Sequence, residues 1–483
     1  VPFVERIFEI EQSRGLWDWH LRGVHLWPLI RYQVIRDLYD HQRKYQQVIA
    51  SADYYQLMQT RHWLRLAKSL RRLRRIKNPE HDCLFLVNRS NRVVNPVTGN
   101  LTRLFLDPYI ERAPNPLIIE TSWPGDPNVQ DLYDDPNTLC EHMLWLRWGI
   151  GARLHLLTRT EKDKIESFMQ QITDLIISND QLARFVAFLS RFVKCKQRID
   201  LFITRHLQST LKNRVAFFHC ASYLGFRCLW SAALHDAGYR VIEPQHGLIA
   251  RQHLAYNYPP DLIADPDHPI HRYLPDDFLV FGDRFTNCVR IPGRITSLGL
   301  PYMDMIQEIQ QSVESKPENI LVVSQGTVTD RMVELAGKLA SAFPDRTILF
   351  KLHPQEVPFE SRYKPLQSLP NVQIRTIENI LELIAQCPVI VGWYSTTLCE
   401  SLMFTDRRVF HLEHESVPQG IGDTFETAEQ LVELIKQPDR GRSSLDANEF
   451  WAKGWPQNYD TFLNDRGIAD ISTSHSENSD TSS

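Results

Sequence analysis

The chain has 483 residues, 43% hydrophobic and 10% aromatic, with 54 Lys and Arg against 58 Asp and Glu. That length exceeds one ordinary core and predicts two domains with additional helical material. A formal net charge of −4 excludes a global electrostatic case for nucleic acid, and no apolar run approaches the roughly 18–20 residues that cross a bilayer.

The first fifteen residues, VPFVERIFEIEQSRG, carry charge where a signal peptide needs an apolar stretch, so no secretion signal is read there. Eight cysteines are scattered singly without a C-x-x-C pair. Cys83, Cys220 and Cys399 stand in apolar runs, where a thiol acts as a small hydrophobe. A reducing, cytoplasmic setting follows.

Residues 1–80 read as helical. Within them RHWLRLAKSLRRLRRIK (61–77) spaces Trp63, Leu64, Leu66, Leu70, Leu73 and Ile76 among Arg and Lys, which makes a basic amphipathic helix. Such a helix offers peripheral contact with the anionic inner face of a membrane, or else packs on its own domain with a solvated basic face.

From residue 81 to 300 short apolar runs alternate with helical patterns. CLFLV (83–87), PLIIE (116–120), VAFFHC (215–220), RVIEPQ (240–245), FLVFG (278–282) and ITSLG (295–299) read as strands. Helices are expected over 160–178, 181–212 and 225–238, with an insertion over about 120–212. A second unit, 301–440, repeats the rhythm. NILVVS (319–324), TILFKLHP (347–354), NVQIRT (371–376), PVIVGW (388–393) and RVFHLE (408–413) are separated by helices over 328–342, 378–386 and 396–404, with another near 426–436. Residues 441–469 form a C-terminal helical segment, and 470–483, without an apolar core set, read as a disordered tail. The expected fold class is α/β: two parallel-sheet domains of Rossmann type facing a cleft, with extra N-terminal and inserted helices.

Open α/β sheets bind ligands at the carboxyl ends of their strands. Four loops there carry chemistry: Gln245-His246-Gly247, Ser324-Gln325-Gly326-Thr327, Lys351-Leu352-His353-Pro354, and GWYSTTLCE at 392–400. In the last, Gly392 permits close backbone approach. Ser395, Thr396 and Thr397 open a helix whose N–H groups suit an anion, or simply cap it; Glu400 could accept bonds from sugar hydroxyls. His353 can donate to a phosphate oxygen, with the charge of Lys351 nearby. Arg251, His253 and Tyr256 follow the first loop as candidates for holding an acceptor, and Glu243 is a base or an orienting residue. DPDHPIH (265–271) contains Asp265, Asp267, His268 and His271, but its spacing lacks the geometry of usual zinc or calcium sites, so no metal is expected. The signatures of P-loop ATPases, dinucleotide-binding dehydrogenases, α/β-hydrolases and zincins are missing.

The order of a His-Gly turn, a Lys-x-His-Pro and a Ser/Thr loop resembles bacterial glycosyltransferases of the GT-B fold in surface-polysaccharide synthesis. Nearest in motif are enzymes that use cytidine-nucleotide donors: polysialyltransferases, capsule Kdo transferases and teichoic acid glycerophosphotransferases. The resemblance covers residues 215–412. It implies that His246 is the catalytic base, that His353, Ser395 and Thr396 hold donor phosphate, and that Gln245 replaces an aromatic of the glycerophosphotransferases. The implied activity is metal-independent transfer of an acidic keto-sugar (a nonulosonate or Kdo) from a CMP-linked donor. The acceptor would be a glycan or lipid-linked glycan, and no other cofactor is implied. A CDP-polyol phosphotransferase, a non-catalytic scaffold of the assembly complex and a nucleotide-sugar epimerase are the alternatives.

Overall fold

In the computed structural model the described residues are 3–45, 81–88, 92–94, 99, 101–121, 137–153, 155–218, 225–353, 356–376, 378–404 and 406–468. The basic stretch 61–77, Cys220, Pro354 and the tail 470–483 therefore lie outside them. The N-terminal region holds helices Phe3–Ser13 and Trp27–Gln42, as the helical reading expects, and also a hairpin of β1 (His20–Leu21) and β2 (Val24–His25). Its two-residue turn places Arg22 (φ 51) and Gly23 (φ 74) in the left-handed region, the backbone that matches the twist of a tight hairpin.

The first lobe is a seven-stranded sheet of β3 (Leu84–Asn88), β6 (Leu117–Thr121), β7 (Thr138–Cys140), β8 (Val215–Phe218), β9 (Arg240–Pro244), β10 (Asp277–Val280) and β11 (Arg294–Ser297). A separate antiparallel pair, β4 (Arg92–Val94) and β5 (Leu101–Arg103), lies between β3 and β6 in sequence. The second lobe is a six-stranded sheet of β12 (Asn319–Val323), β13 (Thr347–Lys351), β14 (Val372–Arg375), β15 (Val389–Gly392), β16 (Arg408–Leu412) and β17 (Asp423–Phe425).

Every pairing in both large sheets is parallel, in the orders β11-β10-β9-β8-β3-β6-β7 and β14-β13-β12-β15-β16-β17. Each sheet starts in its middle, builds outward one way, then returns and builds the other way. This is the doubly wound Rossmann-type order, with a switch point between β3 and β8 in one lobe and between β12 and β15 in the other. The two-lobed GT-B-like architecture expected above is the one observed.

The inner strands β3, β8, β12 and β15 are apolar and buried because both faces are covered. In β12, Ile320 and Val322 pack with Met332, Leu335 and Leu339 of helix Thr329–Ala342, while Leu321 and Val323 join the other core with Ile384 and Leu398. The chain then crosses back. Trp455, Tyr459 and Phe462 of helix Trp455–Asp465 pack on Phe85 and Phe217 of the first lobe, and Trp455 Nε1 donates to Tyr109 Oη at 3.2 Å. The N-terminal helix is equally committed: a Cβ on Gly225 would stand 2.0 Å from the Leu29 carbonyl oxygen, so the two helices meet backbone to backbone. The seven described cysteines are free, six of them buried. No helix among the described residues is long and apolar enough to cross a membrane.

Candidate functional site

The loops after β12 and β15 flank the switch point of the second lobe, where a doubly wound sheet opens a crevice. The loop after β13 is tied to them by Glu356, a buried carboxylate that sequence reading missed. It accepts from Ser324 Oγ (3.0 Å), from the His353 backbone N–H (2.9 Å) and from the Tyr363 hydroxyl. Ser324 is thus a buried structural partner of Glu356 rather than a free donor, a correction to its expected donor-binding role. Lys351 is corrected likewise. Its ammonium is buried and donates to the carbonyls of Thr376 (2.7 Å) and Leu352 (3.2 Å), which spends its charge on backbone.

His353 remains exposed at the surface of this crevice. The atoms packed around it, then Lys351, lower its pKa to about 4, so at neutral pH it is an uncharged imidazole. Gln325 is half-buried, Gly326 is buried, and the Thr327 hydroxyl oxygen is buried without a hydrogen-bond partner among the described residues. A donor left unmatched in that position is costly unless something is bound there.

Ser395 caps the helix Thr396–Glu400, its hydroxyl accepting from Thr397 N–H at 3.2 Å. That helix is shorter than the expected 396–404, because residues Ser401–Met403 tighten into a 3-10 turn. Two expectations fail here. A Cβ on Gly392 would meet Leu398 Cδ2 at 3.1 Å, so this glycine makes room for the protein's own helix rather than for a ligand. Thr397 is buried, and Glu400, 4% exposed, is occupied by the Tyr302 hydroxyl at 2.6 Å. Burial pushes its carboxyl up to about 7, against the lowering effect of that bond. Glu400 is a core carboxyl and does not face a sugar.

On the first lobe, β9 ends at Pro244 with Glu243 completely buried, its Oε1 accepting from the Tyr256 hydroxyl at 2.8 Å. The same hydroxyl stands 3.5 Å from His246 Nδ1. Glu243 is therefore an orienting residue behind His246, not a base that meets substrate, and the buried Tyr256 links the two rather than binding an acceptor. Gln245 is also removed from the acceptor set. It is buried, its Oε1 accepting from Phe281 N–H (2.9 Å) and its Nε2 donating to Gly247 O (2.8 Å). That amide pair fixes the turn which presents His246 and Gly247, both half-buried. Desolvation, then His253, lowers the His246 pKa to about 3, so the ring is neutral but, in this state, a weaker base than a free imidazole. Arg251 is exposed, its Nε donating to Asn287 O at 3.3 Å.

The N-terminal helix, which sequence reading left unassigned, braces this loop. Arg31, paired with buried Glu11, donates to the carbonyls of Leu254 and Asn257. Tyr32 stacks on the His253 ring at 6.1 Å and 12°. His253 is half-buried and its pKa falls to about 4 through desolvation. The same helix and the residues just past it reach the second lobe, where the Tyr39 hydroxyl donates to Glu415 (2.7 Å) and Tyr45 stands edge-on to Trp393 at 5.0 Å.

The two loop sets meet directly. Leu248 N–H donates to Thr396 Oγ1 at 2.9 Å, and the Tyr394 hydroxyl donates to Leu248 O at 3.2 Å. A Cβ on Gly247 would lie 3.7 Å from Thr396 Oγ1. The carboxyl edges of the two sheets therefore face each other, with the His246 turn against the Ser395-Thr396 loop.

Beneath the first-lobe edge lies a polar layer that no motif announced. Arg227 and Glu141, both fully buried, pair at 3.1 Å; Arg227 also donates to Thr121 Oγ1 (2.7 Å), Asn88 Oδ1 (3.2 Å) and Val87 O (3.2 Å). Asn88 and Thr121 close β3 and β6, and Glu141 directly follows β7. In 265–271, His271 Nε2 faces Leu262 O at 2.8 Å and Asp265 Oδ1 accepts from Asp267 N–H at 3.1 Å, so these side chains serve their own turns. No group of three or more metal-ligating residues occurs among the described residues.

No family model and no curated protein matches the sequence. Among solved structures, the chain is similar to MnaA of S. aureus with UDP at 10% identity and a TM-score of 0.48, covering 80% of this chain and 97% of that one. It is similar to UDP-GlcNAc 2-epimerase of Neisseria meningitidis bound to UDP-GlcNAc (12%, 0.43; 80% and 99%) and to MurG of Acinetobacter baumannii (9%, 0.39; 80% and 99%). At such identities a likeness speaks of fold alone, and the fold assignment rests on the two sheets themselves.

Proposed function

We propose that the protein is a GT-B-type transferase that moves a sugar from a nucleotide-activated donor to a glycan acceptor, with His246 as the proton acceptor. The observation that carries this reading is the 2.9 Å contact of Leu248 N–H with Thr396 Oγ1, which sets a neutral imidazole opposite a crevice rich in hydroxyl and N–H donors. Donor phosphate would meet Ser395 Oγ, Thr327 Oγ1 and the His353 imidazole, and those fixed dipoles suit charge that develops on a leaving nucleotide. The acceptor hydroxyl would give its proton to His246, whose imidazolium is then stabilised by Glu243 through Tyr256. Arg251 would orient the acceptor. Lobe closure, held by Thr396 and Tyr394 on Leu248, excludes water.

On the motif resemblance, the donor is a CMP-linked acidic keto-sugar. A panel of CMP-, CDP-, UDP- and GDP-linked donors, titrated by thermal shift and followed by product mass, tests this. Failure of cytidine nucleotides to bind removes the donor assignment, and a phosphodiester product identifies polyol-phosphate transfer instead. Isomerised donor without acceptor identifies an epimerase, and unchanged glycan assembly with His246→Ala identifies a scaffold.

A further inference from the structure

Three large hydrophobic side chains are exposed among the described residues, and two of them, Leu156 (79%) and Leu201 (36%), directly follow His155 and Asp200, which line one cavity. That cavity, about 380 Å³, is lined by Arg22, His155, Lys194, Lys196 and Arg272 together with Asp200 and Asp236. Asp236 closes the helix that follows β8, so the cavity sits at the amino edge of the seven-stranded sheet, away from the crevice described above.

Its charges do not cancel. Lys196 pairs with Asp200 (2.7 Å) and Asp236 (2.8 Å), Arg272 with Asp236 (3.2 Å), and Arg22 with Glu161 (2.6 Å). Lys194 makes no ion pair among the described residues, and Arg198 meets the His155 ring at 2.9 Å. Five cations thus stand against three carboxylates. Arg272 Nε is moreover buried with no hydrogen-bond partner among the described residues, a donor that an entering anion would satisfy. The left-handed turn at Arg22 and Gly23 holds that guanidinium at the wall. Along the adjoining helix Asn179–Phe202 and its π-helical extension, Lys194, Arg198, Leu201 and Arg205 recur at steps of four, three and four, which places them on one face.

A soluble phosphate would use these cations but leave two leucines in water. A lipid surface uses both, since cations meet headgroup phosphate while apolar side chains enter the acyl boundary. We propose that this cavity and helix face dock on a bilayer containing anionic phospholipid, with a headgroup phosphate among Lys194, Lys196 and Arg272 and with Leu156 and Leu201 inserted beside it. The surface is separate from the basic stretch 61–77 and does not depend on the transferase reading.

Sedimentation of the full chain with phosphatidylcholine vesicles, with and without phosphatidylglycerol, tests it. The intact chain should bind only the phosphatidylglycerol vesicles. Lys194→Glu with Arg198→Glu should weaken that binding at least about tenfold, from about fivefold per unit of charge lost near an anionic surface. Leu156→Ser with Leu201→Ser, which leaves every charge in place, should weaken it severalfold. Both losses should persist in a chain whose Arg71, Arg72, Arg74 and Arg75 are changed to Gln. The proposal is overturned if the intact chain ignores anionic vesicles, or if both double variants bind like the intact chain. It is also overturned if inorganic phosphate stabilises the intact chain but not the charge variant while vesicles have no effect, which would mark a soluble-anion site.

Discussion

Replacing Glu400 by Gln removes an ionisable group from the core without changing its shape. Gln retains the oxygen that accepts from the Tyr302 hydroxyl, now at 2.6 Å, but cannot ionise. In the folded protein burial raises the carboxyl from its ordinary 4.5 to about 7. A carboxyl raised by folding contributes stability that is complete below pH about 4.5 and is lost as pH climbs through about 7. At about 1.4 kcal/mol per pH unit, the loss by pH 8 is on the order of 3 kcal/mol. Urea denaturation followed by tryptophan fluorescence should give the two proteins equal stability near pH 4.5. The Gln variant should gain steadily above it, ending about 3 kcal/mol more stable at pH 8. A difference that does not vary with pH, or a variant that is weaker at pH 8, would refute the claim that Glu400 is a protonated core residue near neutrality.

Glu356→Ala strands Ser324 Oγ, His353 N–H and Tyr363 Oη without their acceptor, so thermal and urea unfolding should show a loss of about 3 kcal/mol or more. Nucleotide-induced stabilisation should vanish with it. Tyr394→Phe combined with Thr396→Val removes both bonds to Leu248; each is worth about 1 kcal/mol, and small-angle scattering should show the lobes further apart than in the intact protein. Since desolvation lowers His246 to about 3, its imidazole should stay neutral from pH 5 to 8. An NMR titration curve for His246 with a midpoint between pH 6 and 7 would contradict that.

The lobes were legible because a parallel strand buried on both faces leaves a continuous apolar run, as CLFLV and NILVV do, and a helix between such runs leaves few alternatives. Of the two large sheets, the strands that escaped notice, β7 and β17, are three-residue edges with too little sequence to stand out. Loop positions were legible for the same reason as the strands, but side-chain direction was not. Lys351 looked like a phosphate ligand until the carbonyl of Thr376, twenty-five residues on, claimed its ammonium. Glu356 and the Arg227–Glu141 pair are assembled from distant segments, which no local pattern records. The bracing of the His246 loop by Arg31 and Tyr32 likewise joins residues more than two hundred positions apart.

Calorimetric titration of cytidine nucleotides into the intact protein, into Ser395→Ala and into His246→Ala isolates the division of labour across the lobes. The account predicts measurable binding to the intact protein, a loss of at least about tenfold with Ser395→Ala from one charge-assisted bond, and nearly unchanged binding with His246→Ala. Binding of cytidine nucleotides that ignores Ser395 while collapsing without His246 would contradict a phosphate site on the second lobe facing a proton acceptor on the first.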